Sequence, residues 1–231
     1  MRLPWLADVL RNAGLEVKES AGWQGRGREL IEVNGVVAHH TATGPNVNDG
    51  SVVALLIKGR PDLAGPLCQL GLRRDGTFDV IADGKGNHNG YGEWGNQCVG
   101  IEAYNDGVGE PWPSVQIDAY QRGCAAILAH LGLPVSRLKG HKETDPGRKI
   151  DPAGIDMGGF RLGVAALMHP STPTTPPEKD WLMALTDQQQ TELYLWVKEL
   201  RQEVLLPKDG DDTRHDRLVR KVLDIAKKVG A

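Results

Sequence analysis

The sequence predicts an α/β fold, a central mixed β-sheet flanked by helices, followed by a small C-terminal helical hairpin. Three observations carry that expectation. Short β-branched runs alternate with segments of helical spacing over residues 1–168, the pattern of a layered α/β domain. Two apolar runs flank Asp75-Gly76, a pair suited to a tight turn, so the sheet contains an antiparallel hairpin and is mixed rather than purely parallel. Past a Pro- and Thr-rich stretch, apolar residues recur at steps of four and three, which is helical periodicity.

The elements follow in order. Leu3 to Leu15 has helical spacing, with Leu6, Val9 and Leu10 on one side and Gly14 past the end. After a Gly-rich, charged loop, Ile31 to His40 (IEVNGVVAHH) reads as strand, with Gly35 as a candidate break. Asn48 or Asp49 caps a short helix through Val52, Leu55 and Ile57. The hairpin GPLCQLGLRRDGTFDVIADG comes next, then the strand QCVGIEAYN. Ser114 opens the clearest helix. Val115, Tyr120, Cys124, Ile127, Leu128 and Leu131 give it an apolar face, and Gly132 ends it. GHKETDPGRKIDPAG reads as loop, and Ile155 to Leu167 as a last short helix.

Residues 169–180 (HPSTPTTPPEKD) hold four prolines and three threonines, the composition of an extended linker. In residues 181–231, Thr186 and Gln189 form a capping-box pattern, followed by Leu193, Val197, Leu200 and Val204. The same steps return at Leu218, Val222, Ile225 and Val229, with Asp211 and Asp212 near the start and Lys227 and Lys228 near the end, as the helix dipole favours. Each seam is too short to stand alone and must pack on something. Three readings stay open: wall binding, packing on the first domain, or a homodimer through these helices. Nine Lys/Arg against nine Asp/Glu in 181–231 argue against attraction to anionic polymers by charge alone.

Composition excludes several classes. A net charge of −3 lacks the basic footprint of a nucleic-acid binder. Asp8, Arg11 and Asn12 interrupt the first apolar residues, so the start is not a secretory signal, and charges break every candidate membrane span. The chain is expected as a soluble cytoplasmic product with no membrane insertion. Its three cysteines, Cys68, Cys98 and Cys124, are odd in number and widely spaced, which supports neither a disulfide framework nor a CxxC metal site. Cys98 and Cys124 sit in apolar runs and read as buried structural thiols.

The residues fit for chemistry are few. His39 and His40 end a strand, where successive side chains point to opposite faces, so only one can face a given pocket. His141 lies in a loop, and Asp151 follows ten residues later, where a loop that doubles back could return it. Two histidines and one carboxylate are the ligand count of a catalytic zinc, which keeps a fourth position for water. Spacing leaves four candidates and no choice between His39 and His40.

Five segments taken together, VVAHHTATG, RRDGT, NHNGYG, CVGIEAYND and GHKETDPGRKIDP, resemble the zinc-dependent N-acetylmuramoyl-L-alanine amidases, the family of amidase-type phage endolysins, anhydro-muropeptide amidases and peptidoglycan recognition proteins. The motifs stand in the family's order over about residues 30–165 and leave the tail uncovered. GPLCQL, RRDGT and NH.G are most similar to lysins of actinobacteria-infecting phages.

The resemblance implies an enzyme that cleaves the amide between the lactyl group of N-acetylmuramic acid and L-alanine of peptidoglycan. It implies Zn2+ as cofactor, with His39, His141 and Asp151 as metal ligands, and leaves His40 a structural role. Glu102 matches the family's catalytic glutamate and Lys149 its oxyanion-stabilising lysine. His88 matches a substrate-contacting histidine at the cleft rim. Asn89 and Trp94 are candidates to line the cleft. Cys68 stands where some relatives carry a catalytic tyrosine, which shifts proton transfer onto Glu102. Residues 1–168 become the catalytic domain. The chain would be made in a host cytoplasm and reach the wall with the help of a holin. The competing readings are a non-catalytic peptidoglycan-binding module and a structural phage protein.

Overall fold

The computed structural model describes residues 1–90 and 92–168. The expected linker and helical hairpin, 169–231, lie outside the described residues. The chain separates into two units, Met1–Ser171 and Thr172–Ala231, and every described residue lies in the first.

Strands β1 (Val17–Glu19), β2 (Val36–His40), β5 (Leu70–Leu72), β6 (Phe78–Val80), β7 (Val99–Ala103) and β8 (Leu138–Gly140) form one six-stranded sheet. A two-stranded ribbon, β3 (Gly59–Arg60) and β4 (Leu63–Ala64), stands apart. The main sheet runs β1-β6-β5-β7-β2-β8, and only the β5–β6 hairpin is antiparallel. The sheet is therefore mixed, as the Asp75-Gly76 turn requires. Gly76 sits at φ 88°, and Thr77 N–H donates to Asp75 Oδ1 at 2.9 Å.

Alternation assigns the two faces of the sheet. Val36 and Ala38 of β2, Leu70 and Leu72 of β5, and Val99, Ile101 and Ala103 of β7 pack with α1 (Leu6–Asn12), α4 (Ser114–Leu131) and α6 (Met157–Met168) in the larger core. On the opposite face, Val52 and Leu56 of α2 (Asp49–Lys58) cover Leu67, Cys68, Ile81 and Tyr104. His39, Gly100 and Glu102 have the parity of this second face. Beneath α2, Tyr104 Oη donates to Asp79 Oδ2 at 2.8 Å, and Arg73 grips both Asp79 oxygens at 2.7 and 2.8 Å.

Several expected boundaries move. The strand expected from Ile31 begins at Val36, after Gly35 (φ 157°), which passes so close to Arg137 that a Cβ would lie 2.1 Å from its carbonyl oxygen. The first helix is shorter than Leu3–Leu15, since Pro4 precedes it in a turn and Gly14 turns left-handed after it. Val115 is 51% exposed and is not on the buried face of α4, which Ala119, Tyr120, Gly123, Cys124, Ile127 and Leu128 supply. β1 and the short helices α3 (Glu93–Asn96) and α5 (His141–Thr144) add to the expected set, the last within a stretch read as loop. All three cysteines are buried free thiols.

Candidate metal and catalytic site

The site forms at the carboxyl ends of three adjacent parallel strands, where ligands collect in open α/β sheets. β7, β2 and β8 are neighbours, with His39 in register with Glu102 and Ala38 in register with Gly140. His141 follows Gly140 directly, so Glu102, His39 and His141 form a row across three strands. Gly140 serves the close fit, since a Cβ there would meet Pro152 Cδ at 3.1 Å. α5 then carries the chain away, with Glu143 accepting from Gly140 N–H at 2.8 Å and pairing with Arg161 at 2.8 Å. The loop after α5 doubles back, and Lys142 N–H donates to the Asp151 carbonyl at 2.8 Å. That return sets the Asp151 carboxylate against both histidines.

His39 Nδ1, His141 Nδ1 and Asp151 Oδ2 make a triangle with sides of 3.0, 2.9 and 3.0 Å. All three residues are buried. Tetrahedral zinc with bonds of about 2.0–2.1 Å separates its ligand atoms by about 3.3 Å, so a small cation fits above this triangle after a few tenths of an ångström of expansion. Two imidazole nitrogens and one carboxylate oxygen are the donor chemistry such a cation takes. Among the described residues this is the one cluster of its kind. Burial pushes the His39 imidazole down to about 4, so it is neutral and able to ligate at neutral pH. Burial pushes the Asp151 carboxyl up, but hydrogen bonds from His141 and His39 outweigh it and hold the group well below the usual range.

A cleft of about 340 Å³ opens beside the triangle, with Glu102, His141, Asp151 and Lys149 on its polar side. Leu55 and Leu56 of α2, Leu63 of β4 and Leu67 between β4 and β5 form an apolar wall, with Arg60 at the edge. Burial, and then the Asp151 charge, raise the Glu102 pKa well above its ordinary value, while Lys149 opposes the rise. Glu102 Oε2 and His141 Nε2 are buried and have no hydrogen-bond partner among the described residues. Unpaired buried polar atoms are costly, and at the floor of a cleft they are available to a ligand.

The structure separates the two adjacent histidines. His39 joins the triangle, whereas His40 Nδ1 accepts from Ala153 N–H at 3.1 Å. His88 is buried, its Nδ1 3.0 Å from His39 Nε2 and its Nε2 3.3 Å from the Cys98 carbonyl. Both ring nitrogens therefore face protein partners, and a hydrogen bond to substrate would have to displace one. Neither Asn89 nor Trp94 lines the cleft. Asn89 is buried and accepts from the Thr144 hydroxyl at 2.6 Å, tying its loop to α5. Cys68 is buried and does not line the cleft either.

One participant reads in the sequence only as core. Tyr120, on α4, brings its hydroxyl between β2 and β7, accepting from His39 N–H at 2.8 Å and lying 3.1 Å from the His39 and Ile101 carbonyls. It clamps the backbone that carries His39. A tyrosine on a mostly apolar helix face was the available signal.

Residues 29–154 match the family described as N-acetylmuramoyl-L-alanine amidase. The chain belongs to this family. The matched span of the amidase includes His39, His88, Glu102, His141, Lys149 and Asp151. Two solved structures from Clostridium intestinale URNW are similar, an endolysin N-acetylmuramoyl-L-alanine amidase LysCS and an N-acetylmuramoyl-L-alanine amidase LysC. Each is 16% identical with a TM-score of 0.51, over 64% of this chain and 93% and 95% of theirs. At that identity the likeness establishes the fold. No curated protein matches the chain. No helix among the described residues is long and apolar enough to cross a membrane.

Proposed function

We propose that this amidase hydrolyses the bond between the lactyl group of N-acetylmuramic acid and L-alanine of the stem peptide, with zinc held by His39, His141 and Asp151. The observation that carries the reading is the buried triangle of donors beside Glu102 Oε2, which has no hydrogen-bond partner among the described residues. Bound there, zinc supplies a Lewis acid and lowers the pKa of a water.

The chain's own residues supply the rest. Glu102 takes the proton of the attacking water and passes it to the departing amide nitrogen as the C–N bond breaks. A cation held by the triangle would offset the Asp151 charge, the second cause after burial of the raised Glu102 pKa. Lys149 provides the positive charge that favours the oxyanion of the tetrahedral intermediate. The apolar wall keeps bulk water from the scissile amide.

We further read the protein as a phage endolysin, made in the host cytoplasm and admitted to the wall by a holin. A similar solved structure bears the endolysin description, and the GPLCQL and RRDGT segments suggest actinobacterial walls as the first substrate to try. A binding module without catalysis is less well supported, because the complete donor set, Glu102 and Lys149 are all in place.

Mass spectrometry of soluble products from purified walls tests the reading. Free stem peptides beginning with L-alanine, together with glycan strands bearing intact lactyl groups, are expected. Disaccharide-peptides with new reducing ends would instead identify a glycosidase and overturn it.

A further inference from the structure

We propose that Arg74 is a positioning residue for the substrate: paired with Glu110, it ties the loop after β2 to the loop after β7 and so holds Ala42 and Val108 in place at the rim of the cleft. The inference rests on reading that cleft as the one that takes the muropeptide, and it adds a part that reading does not contain.

The sheet order puts Arg74 within reach of both loops. β5, β7 and β2 are parallel neighbours, so the loops leaving their carboxyl ends lie side by side. Arg74 is the second residue after β5. Its Nε donates to Glu110 Oε1, and its Nη2 donates to Glu110 Oε2 and to the Thr43 carbonyl, each at 2.8 Å. One guanidinium thus joins the ends of three strands. An exposed ion pair fixes little. This pair is a two-pronged fork, the Glu110 side chain is only 9% exposed, and Asp106 N–H donates to Glu110 Oε2 at 2.9 Å.

Both loops reach the cleft. Ala42, at φ 53°, is the only non-glycine residue at positive φ among the described residues, and it lines the cleft. That conformation is costly for alanine and persists where its neighbours over-determine it. On one side Thr41 N–H donates to the Ala103 carbonyl at 2.9 Å, and on the other Arg74 grips the Thr43 carbonyl. The Thr41 and Thr43 hydroxyls meet at 2.6 Å. In the second loop, Asp106 Oδ1 accepts from Val108 N–H at 2.8 Å and Glu110 N–H at 3.1 Å. Gly107, at φ 70°, fits against His40, since a Cβ there would lie 2.3 Å from the ring. This firmly built turn leaves Val108 83% exposed where it lines the cleft. Its isopropyl group is thereby offered to the substrate.

The test uses the full chain and the disaccharide-peptides that a glycosidase frees from purified walls. R74M should raise KM for amide cleavage about 10-fold, with kcat changed less than about twofold and zinc content as in wild type. V108S should also raise KM. The two effects should fall short of additive in the double variant, because Arg74 acts through the rim that carries Val108. An unchanged KM in folded R74M, a fall in kcat alone, or independent R74M and V108S effects would overturn the proposal. Should R74M not fold, E110Q, which keeps the shape of Glu110 and weakens the fork, takes its place in the same comparison. If the wild type cleaves no amide, the amidase reading fails. Calorimetric affinities of wild type and R74M for the same disaccharide-peptides then decide this proposal, and equal affinities overturn it.

Discussion

His39 and Glu102 are register partners on adjacent parallel strands, both on the sheet face opposite α4. A donor of the buried triangle and the only carboxylate on that stretch of β7 are thereby held side by side by backbone hydrogen bonds. Neither depends on a flexible loop for its place.

That arrangement separates His39 from its neighbour. H39A is expected to abolish zinc binding, and H40A to retain one zinc per chain, because His40 bonds the Ala153 amide instead of joining the triangle. Metal analysis of dialysed proteins checks this, and the reverse pattern would place the wrong histidine in the centre.

Glu102 should matter for rate without being needed for zinc binding. E102Q is expected to lower kcat by about 10²–10⁴-fold while zinc stays bound. The sign of its effect on stability follows from its raised pKa. A carboxyl raised on folding contributes stability below its unfolded value, about 4.3, and loses that contribution as pH rises toward the folded value. The metal-free E102Q protein should therefore be more stable than metal-free wild type at pH 7 in urea unfolding, and equal stability would count against a carboxyl raised by burial.

Removing the Tyr120 hydroxyl should cost stability. Y120F leaves the His39 amide without an acceptor and two carbonyls with poorer partners, a loss of about 1–3 kcal/mol. Urea unfolding of the metal-free proteins measures it, since metal then cannot mask the change.

The Arg74–Glu110 pair provides a pH signature. Arg74 Nη2 lies 2.8 Å from Glu110 Oε2 and 2.8 Å from the Thr43 carbonyl, joining the loops after β2 and β7. Arg74 holds the Glu110 carboxyl below its ordinary value. A depressed carboxyl stabilises above its unfolded value and stops doing so as pH falls through the folded one. E110Q should cost about 1–2 kcal/mol at pH 7, with the gap to wild type closing as pH drops below about 4. A gap independent of pH would point to packing instead.

Much of the frame was legible in the sequence. Asp75-Gly76 marks the hairpin because that turn needs a residue at positive φ, and Asn48 marks the start of α2 because its side chain caps Gly50 N–H at 2.8 Å. β1 was not legible, being three residues long with its order supplied by pairing to β6 rather than by its own pattern. The row of Glu102, His39 and His141 was hidden for another reason. Crossovers bring together strands far apart in sequence, and no local periodicity records which strands become neighbours. The role of Tyr120 was obscured because a tyrosine on an apolar helix face looks the same whether or not its hydroxyl reaches a neighbouring strand. His88 was visible as a motif residue, but its contact with His39 depends on the missing Cβ of Gly100.

The most direct test of the central claim is the rate at which new L-alanine amino termini appear in purified cell walls, measured before chelation, after chelation and after zinc is restored. Release without new reducing ends, lost on chelation and recovered with zinc, is the predicted result. Release that continues undiminished in metal-stripped enzyme would contradict it.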